Sequence, residues 1–117
     1  AGLPGSFINV SSQMGHVGSP RRTLYCASKH AIEGMSKALA WELGPAGIRV
    51  INCFPGPIDD EWNQTLPPPK LGAEALAKSV VSALKDGVED VYPGDVAQEW
   101  LARWEENPKV LERELGA

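Results

Sequence analysis

Cysteine is scarce: Cys26 and Cys53 are the two in 117 residues, and they form no Cys-x-x-Cys pair. That excludes the disulfide framework with which small secreted domains compensate for a thin core, and the expected state is reduced thiols in a cytoplasmic protein. Basic charge is also short, with 11 Lys and Arg against 15 Asp and Glu and a net charge of −4. No positive field is available for a phosphate backbone or an anionic membrane, so nucleic acid is not an expected partner. Long apolar runs are missing as well. Val50 to Phe54 is already interrupted by Asn52, far short of the ~20 residues of a membrane span, and no membrane association is expected. The first residues, Ala-Gly-Leu-Pro-Gly, lack a Met and the charged-then-apolar plan of a secretory signal, so the chain reads as part of something longer. Without a signal, the patterns Asn9-Val10-Ser11 and Asn63-Gln64-Thr65 carry little weight as glycosylation sites.

What is present is a globular balance, 43% hydrophobic and 22% charged residues, with one core expected at this length. Phe7-Ile8-Asn9-Val10 reads as a buried strand ending near Ser11, followed by a Gly-bearing loop to Pro20. From Thr23 the apolar residues Leu24, Ala27, Ala31, Met35, Ala38 and Leu39 recur at helical spacing, and Gly44-Pro45 stops the run, which predicts a helix from about Thr23 to Leu43. Ile48 to Phe54 predicts a second strand, stopped by Pro55-Gly56-Pro57. A loop containing Pro67-Pro68-Pro69 runs to about Leu71, then Leu76, Val80 and Leu84 mark a helix over Ala73 to Lys85. Val88 to Tyr92 suits a short third strand, and Val96 to Leu115 one or two helices divided at Asn107-Pro108. Strands alternating with helices are the grammar of parallel α/β units, because a parallel pair needs a crossover. A bare first strand would expose a pairing edge, so a further neighbour is expected upstream.

Chemistry concentrates at one end of this scheme. Tyr25 and Lys29 are four apart on one helix face. A phenol, with an ordinary pKa of about 10, is a poor base at neutral pH, and an ammonium one turn away favours the phenolate. Taken alone the spacing also suits a surface i,i+4 pair. Ser12 closes the first strand and Pro55-Gly56-Pro57-Ile58 closes the second, so the crevice at the carboxyl ends of the strands would gather all three features.

In order and along nearly the whole chain, these motifs resemble the short-chain dehydrogenase/reductase family. Asn9-Val10-Ser11-Ser12 looks like the strand bearing its catalytic serine, and Tyr25-x-x-x-Lys29 like its active-site signature, with the usual thirteen-residue step from Ser12 to Tyr25. Ile48-Arg49-Val50 and Pro55-Gly56-Pro57-Ile58 look like its next strand and its cofactor-contacting turn. The resemblance implies a partial Rossmann-like sheet of about three strands, with residues 1–117 forming the C-terminal, catalytic-residue-bearing half of the domain. It also implies NAD or NADP as cofactor, a small alcohol or carbonyl substrate, a homo-oligomer, and no metal. Tyr25 would be the general acid/base on the substrate oxygen and Ser12 would hydrogen-bond that oxygen. Lys29 would favour the phenolate and hold the nicotinamide ribose, while Pro55, Gly56 and the backbone of Ile58 would contact the nicotinamide.

The departures from the family pattern are specific. The glycine-rich phosphate-binding turn, the strand that selects NAD or NADP and the helix with the relay asparagine are not in this sequence. Asp60 stands where Thr is frequent, placing a carboxylate near cofactor phosphates unless it is turned away or paired. Ile51 pushes Asn52 one place later than in the usual Arg-Val-Asn. Rival readings are weaker. His16, Cys26, His30 and Cys53 lack zinc-site spacing, and Ser11 and Ser12 lack the Gly-x-Ser-x-Gly elbow of a hydrolase. An epimerase or dehydratase sharing Tyr-x-x-x-Lys is disfavoured by the short step from Ser12 to Tyr25 and by the Pro-Gly-Pro turn. Trp41, Trp100 and Trp104 read as packing or subunit-contact residues, and Trp62, in the loop after the cofactor turn, as packing or a substrate lid. A catalytically inactive half whose role is oligomerisation is the reading from another class.

Overall fold

The computed structural model describes residues 4–66 and 68–116. Strand β1 (Gly5–Val10) leads through a 3-10 turn at Gln13–Gly15 into the long helix α1 (Thr23–Leu43). Strand β2 (Ile48–Cys53), helix α2 (Ala73–Asp86), the two-residue strand β3 (Asp90–Val91), and helices α3 (Asp95–Glu106) and α4 (Pro108–Gly116) follow. The strands form one sheet in the order β1-β2-β3 with both pairs parallel, Gly5 facing Ile48 at one end and Val10 facing Cys53 at the other. This is the α/β class, and the helices are the crossovers that parallel pairing demands.

Local chemistry explains the element boundaries. Gly47 ends the turn after α1 at φ 77°, a left-handed conformation that costs glycine little. β3 is shorter than the Val88 to Tyr92 run expected. Gly87 (φ 72°) and Val88 both donate their N–H to the Ala83 carbonyl, so α2 is still being capped at Val88. Only from Glu89 does the chain join the sheet, the Glu89 and Val91 carbonyls each accepting from β2-side N–H groups at 2.8 Å. The break in the tail falls at Asn107, whose Oδ1 accepts from the N–H groups of Lys109 and Val110. Asn107 therefore caps α4 with Pro108 at its first position, and two helices form instead of one. Arg103 on α3 pairs with Glu114 on α4.

Buried Ile51, Ala83 and Val91 form a core between the sheet and α2, with Leu84 packed against it. Phe54, Val17, Ala97 and Leu111 are buried towards the tail helices. Helix α1 has the expected span. Cys26 and Ser36 are its buried residues, and Ser36 Oγ accepts from Asn9 Nδ2 on β1 at 2.8 Å. The stripe of Leu24, Ala27, Ala31, Met35 and Ala38 instead points outward, with Leu24 86% exposed, as is Trp41. Apolar spacing located the helix, but the small and polar side chains that let it approach the sheet chose its inner face. No helix among the described residues is long and apolar enough to cross a membrane.

Exposed apolar surface therefore lies on both flanks. Phe7, Ile8 and Val10 stand on edge strand β1, and Leu24, Met35 and Trp41 on the outer face of α1. Such an edge and such a patch drive association when nothing covers them. The isolated 117-residue chain is expected to run as oligomers or aggregates in size-exclusion chromatography with light scattering. A clean, heat-stable monomer would contradict this.

Candidate active site

The site is built at the carboxyl ends of β1 and β2. Beyond Val10, the Ser11 N–H donates to the Cys53 carbonyl (2.8 Å) and the Gln13 N–H to the Pro55 carbonyl (3.2 Å), so the two strand ends stay side by side as they leave the sheet. Ser11 Oγ donates to the Lys29 carbonyl at 3.2 Å, tying the strand end to α1. The approach depends on Gly15: a Cβ there would lie 2.7 Å from Ser11 Oγ, and no real Cβ comes so close. On the opposite wall, Lys29 Nζ donates to the Val10 carbonyl at 3.2 Å and stands 5.6 Å from the Tyr25 ring centroid. Tyr25 is 43% exposed.

A cleft of about 530 Å³ is the result, and Ser12, Tyr25, Lys29, Pro55, Gly56 and Ile58 all line it. The six residues to which the resemblance gives a catalytic or cofactor-contacting role are thus brought to one surface. Within the closing turn, the Ile58 carbonyl accepts from the Asp60 N–H (3.0 Å) and Asn63 Nδ2 (3.1 Å), whereas the Ile58 N–H donates to none of the described residues. Asp60 also lines the cleft, but its Oδ1 accepts from the Asn63 N–H at 3.0 Å and from Asn63 Nδ2 at 2.9 Å. Its carboxylate is paired and caps the short turn Glu61–Asn63. The displaced Asn52 lies in β2, where its Nδ2 donates to Asp90 Oδ1 at 3.3 Å. The side chain of Trp62 and all of Pro67 lie outside the described residues.

Two features of the site were not anticipated. The first is Gln13, 9% exposed, on the cleft floor directly after Ser12. Its Oε1 is buried and accepts no hydrogen bond from the described residues, a state that costs about 1–3 kcal/mol in a folded protein. A polar residue next to the expected catalytic serine was the only sequence signal for it. The second is His16, weighed in the sequence only as a metal ligand. Among the described residues no three His, Cys, Asp or Glu side chains gather as a metal site would need. Instead His16 is stacked between Phe54 (4.6 Å between centroids) and Trp104 (4.8 Å). Its Nε2 is 2.9 Å from the Tyr92 hydroxyl and its Nδ1 3.0 Å from Glu33 Oε2. The loop carrying Ser12 is thereby pinned to α1, to the end of β3 and to α3. Trp100 lines the cleft beside this cluster.

Burial holds His16 below its ordinary 6.5, outweighing the Glu33 carboxylate beside it. Burial also pushes the Tyr92 phenol from 10.0 up to about 12, helped by Asp90, Glu33 and Glu105, and the Cys53 thiol from 9.0 up to about 11. The folded state therefore resists protonation of His16 and ionisation of Tyr92 and Cys53 more than the unfolded chain does. The contribution of His16 is complete above pH 6.5 and is lost as the pH falls through its lowered folded value. Those of Cys53 and Tyr92 are complete below 9.0 and 10.0 and are lost as the pH rises to about 11 and about 12. Melting temperatures measured across pH should fall on both sides of this window. In the His16→Gln variant the difference from the parent should shrink as the pH drops below 6.5. A pH-independent difference would refute the assignment.

The family model of the short chain dehydrogenases matches residues 2–71, from β1 through the turn that closes the cleft. The chain belongs to the short-chain dehydrogenase family. Among the curated relatives of this short-chain dehydrogenase is the 3-oxoacyl-[acyl-carrier-protein] reductase FabG of Chlamydia trachomatis. It is 40% identical over an alignment of 97 positions that covers 71% of this chain and 39% of that protein. A crystal structure of a short chain dehydrogenase from Burkholderia cenocepacia in complex with NADP superposes with a TM-score of 0.89 at 36% identity, over 96% of this chain and 47% of that one. One from Mycobacterium paratuberculosis bound to NAD superposes with a TM-score of 0.59 at 31% identity, over 68% of this chain and 38% of that one. The chain therefore spans less than half the length of each of these three proteins. The superposition over 96% of the chain takes in the tail beyond Leu71, so α2, β3 and the tail helices share the family architecture too.

Proposed function

We propose that this chain is the catalytic-residue-bearing C-terminal half of a Rossmann-type domain, residues 1–117, in an NAD(P)-dependent enzyme that interconverts an alcohol and a carbonyl. One observation carries the reading: Ser12, Tyr25, Lys29 and the Pro55 to Ile58 turn line a single cleft at the carboxyl ends of two parallel strands, where open α/β sheets bind ligands. The residues fit a nicotinamide. A Cβ at Gly56 would lie 3.0 Å from Gln13 Oε1 and 3.4 Å from Val96 Cγ1, so a larger residue would have to displace both side chains, and the Ile58 N–H in the same turn would face a carboxamide oxygen. When bound, the cofactor supplies or takes up the hydride. In the oxidising direction Tyr25 accepts the hydroxyl proton as that hydride leaves carbon, and in the reducing direction it returns the proton to oxygen. Ser12 hydrogen-bonds the same oxygen. Lys29, held by the Val10 carbonyl at 3.2 Å and 5.6 Å from the Tyr25 ring centroid, would hold the ribose.

Incubating the complete protein with NADPH or NADH and a panel of small ketones and aldehydes, and following loss of the reduced nicotinamide, tests the reading. Turnover with none of them, by a protein that binds the cofactor, would count against it. Free, buried Cys26 and Cys53 support a reducing, cytoplasmic location. The outward apolar face of α1, with Leu24, Met35 and Trp41, supports a homo-oligomer. That face also favours the second reading, an association module without catalysis, which a cofactor titration of the complete protein separates from the first.

A further inference from the structure

His16 does not line the cleft, yet its side chain ties together three elements that do. Its Nδ1 is 3.0 Å from Glu33 Oε2. Tyr25, Lys29 and Glu33 follow one another at four-residue steps, so they share one face of α1. The His16 ring also stacks on Trp104 at 4.8 Å, one turn beyond the Trp100 that lines the cleft. Towards Ser12 the link is a short rigid turn, in which the Gly15 N–H donates to the Ser12 carbonyl at 2.8 Å and the His16 N–H to the Gln13 carbonyl at 3.3 Å. The His16 and Glu33 side chains are 10% and 15% exposed, so water screens their contact far less than it would on an open surface. We propose that His16 is a positioning residue: through Glu33 and Trp104 it sets the Ser12 loop against the helix face that carries Tyr25 and Lys29. This rests on the oxidoreductase reading above and says what holds that site in register.

The partners of the ring assign its protons. A carboxylate only accepts, so Nδ1 carries the proton towards Glu33, and Nε2 of the neutral ring accepts from the Tyr92 hydroxyl at 2.9 Å. A proton added at Nε2 forces the Tyr92 hydroxyl to abandon that bond as donor. The charged and titratable groups around the ring are Glu33 and Lys37 on α1 and Asp90 and Tyr92 at β3, with Glu105 on α3 acting on Tyr92. From β2 the ring meets only the uncharged Phe54. Glu33 and Asp90 favour the imidazolium, whereas burial and Lys37, which pairs with the same Glu33 at 3.1 Å, oppose it, and burial prevails. Acidification below pH 6.5 therefore loosens the joint between the Ser12 loop and α1. Tyr25 loses nothing to acid in the reducing direction, where it acts in its protonated form.

Kinetics of the complete enzyme with the best-reduced carbonyl compound of the panel above test this. His16→Phe keeps a stacking ring and deletes both hydrogen bonds, so kcat should fall by on the order of 10-fold or more, the cost of a small misplacement of reacting groups. KM for the reduced cofactor should hold within a few-fold. Glu33→Gln should lower kcat in the same way, and the double variant should be little worse than either, because both act through one contact. The parent's kcat in the reducing direction should drop reversibly below pH 6.5. His16→Asn, which keeps a donor towards Glu33 and does not titrate, should retain part of the activity and lose that drop. In the ligand-free protein, hydrogen exchange at the Ser11 and Gln13 N–H groups should be on the order of 10-fold or more faster in His16→Phe, with the β2 amides unchanged. A kcat for His16→Phe within a few-fold of the parent, additive effects of the two substitutions, an acid drop that survives in His16→Asn, or exchange that rises equally in β2 would each overturn the proposal. If His16→Phe does not fold, Glu33→Gln and His16→Asn carry the same measurements. If the enzyme reduces none of the compounds, the oxidoreductase reading falls by itself and exchange judges His16 alone: acceleration confined to Ser11 and Gln13 supports its positioning role, and unchanged or uniform exchange overturns it.

Discussion

Replacing Tyr25 by Phe in the complete enzyme is expected to lower kcat and kcat/KM together by on the order of 10²-fold or more, the range that loss of a positioned acid/base group produces. The substitution removes one oxygen. Neither the Tyr25 ring, 5.6 Å from Lys29 Nζ and 5.9 Å from the Arg22 guanidinium, nor its backbone carbonyl, which accepts from Ser28 Oγ at 2.7 Å, depends on that oxygen. Lys29 keeps its bond to the Val10 carbonyl, so the group proposed to bind the ribose stays in place and cofactor affinity should hold within a few-fold. Since Tyr25 is 43% exposed, thermal stability should change little. Steady-state kinetics together with a cofactor titration reads all of this, and turnover within a few-fold of the parent would remove Tyr25 from the mechanism.

The 117-residue chain by itself should bind NAD or NADP at least on the order of 10²-fold more weakly than the complete enzyme in calorimetry. In Rossmann folds the pyrophosphate sits on a glycine-rich turn at a helix N-terminus, where backbone N–H groups and the helix dipole carry much of the affinity. No such turn occurs in this sequence. In the cleft, Lys29 and the turn from Pro55 to Ile58 are the groups proposed to meet the nicotinamide end. Low-micromolar binding to the isolated chain would mean that these residues hold the whole dinucleotide, and the half-domain proposal would have to be abandoned.

Much of the site could be read in advance because its parts are local. Tyr25 and Lys29 share a helix face by spacing alone, and Ser12 and the Pro55-Gly56-Pro57 turn mark strand ends through their own turn chemistry. The parallel register of β1 on β2 then carries them into one cleft. Asp60 could be read only halfway. Its charge was evident, but the donors that hold its carboxylate, the Asn63 N–H and Nδ2, belong to the short turn ending three residues later. His16 could not be read, since its meaning depends on Glu33, Tyr92 and Trp104, which lie on three separate elements.

The sequence by itself determined the α/β class, the order of the elements, the span of α1 and the end of the sheet at which polar groups collect. Those follow from periodicity, from glycine and proline at the turns, and from the crossover that parallel strands impose. Only the tertiary structure decided which face of α1 is inside. Leu24 and Met35 are more apolar than Cys26 and Ser36, yet the latter pair is buried, because close approach of a helix to β1 favours small side chains and the Ser36 hydroxyl satisfies Asn9. It likewise decided that β3 is two residues long, through the α2 cap at Val88, and that Gln13 lies buried against Gly56 with an acceptor unused. Burial and hydrogen-bond partnership are relations between residues far apart in the chain, and no local pattern contains them.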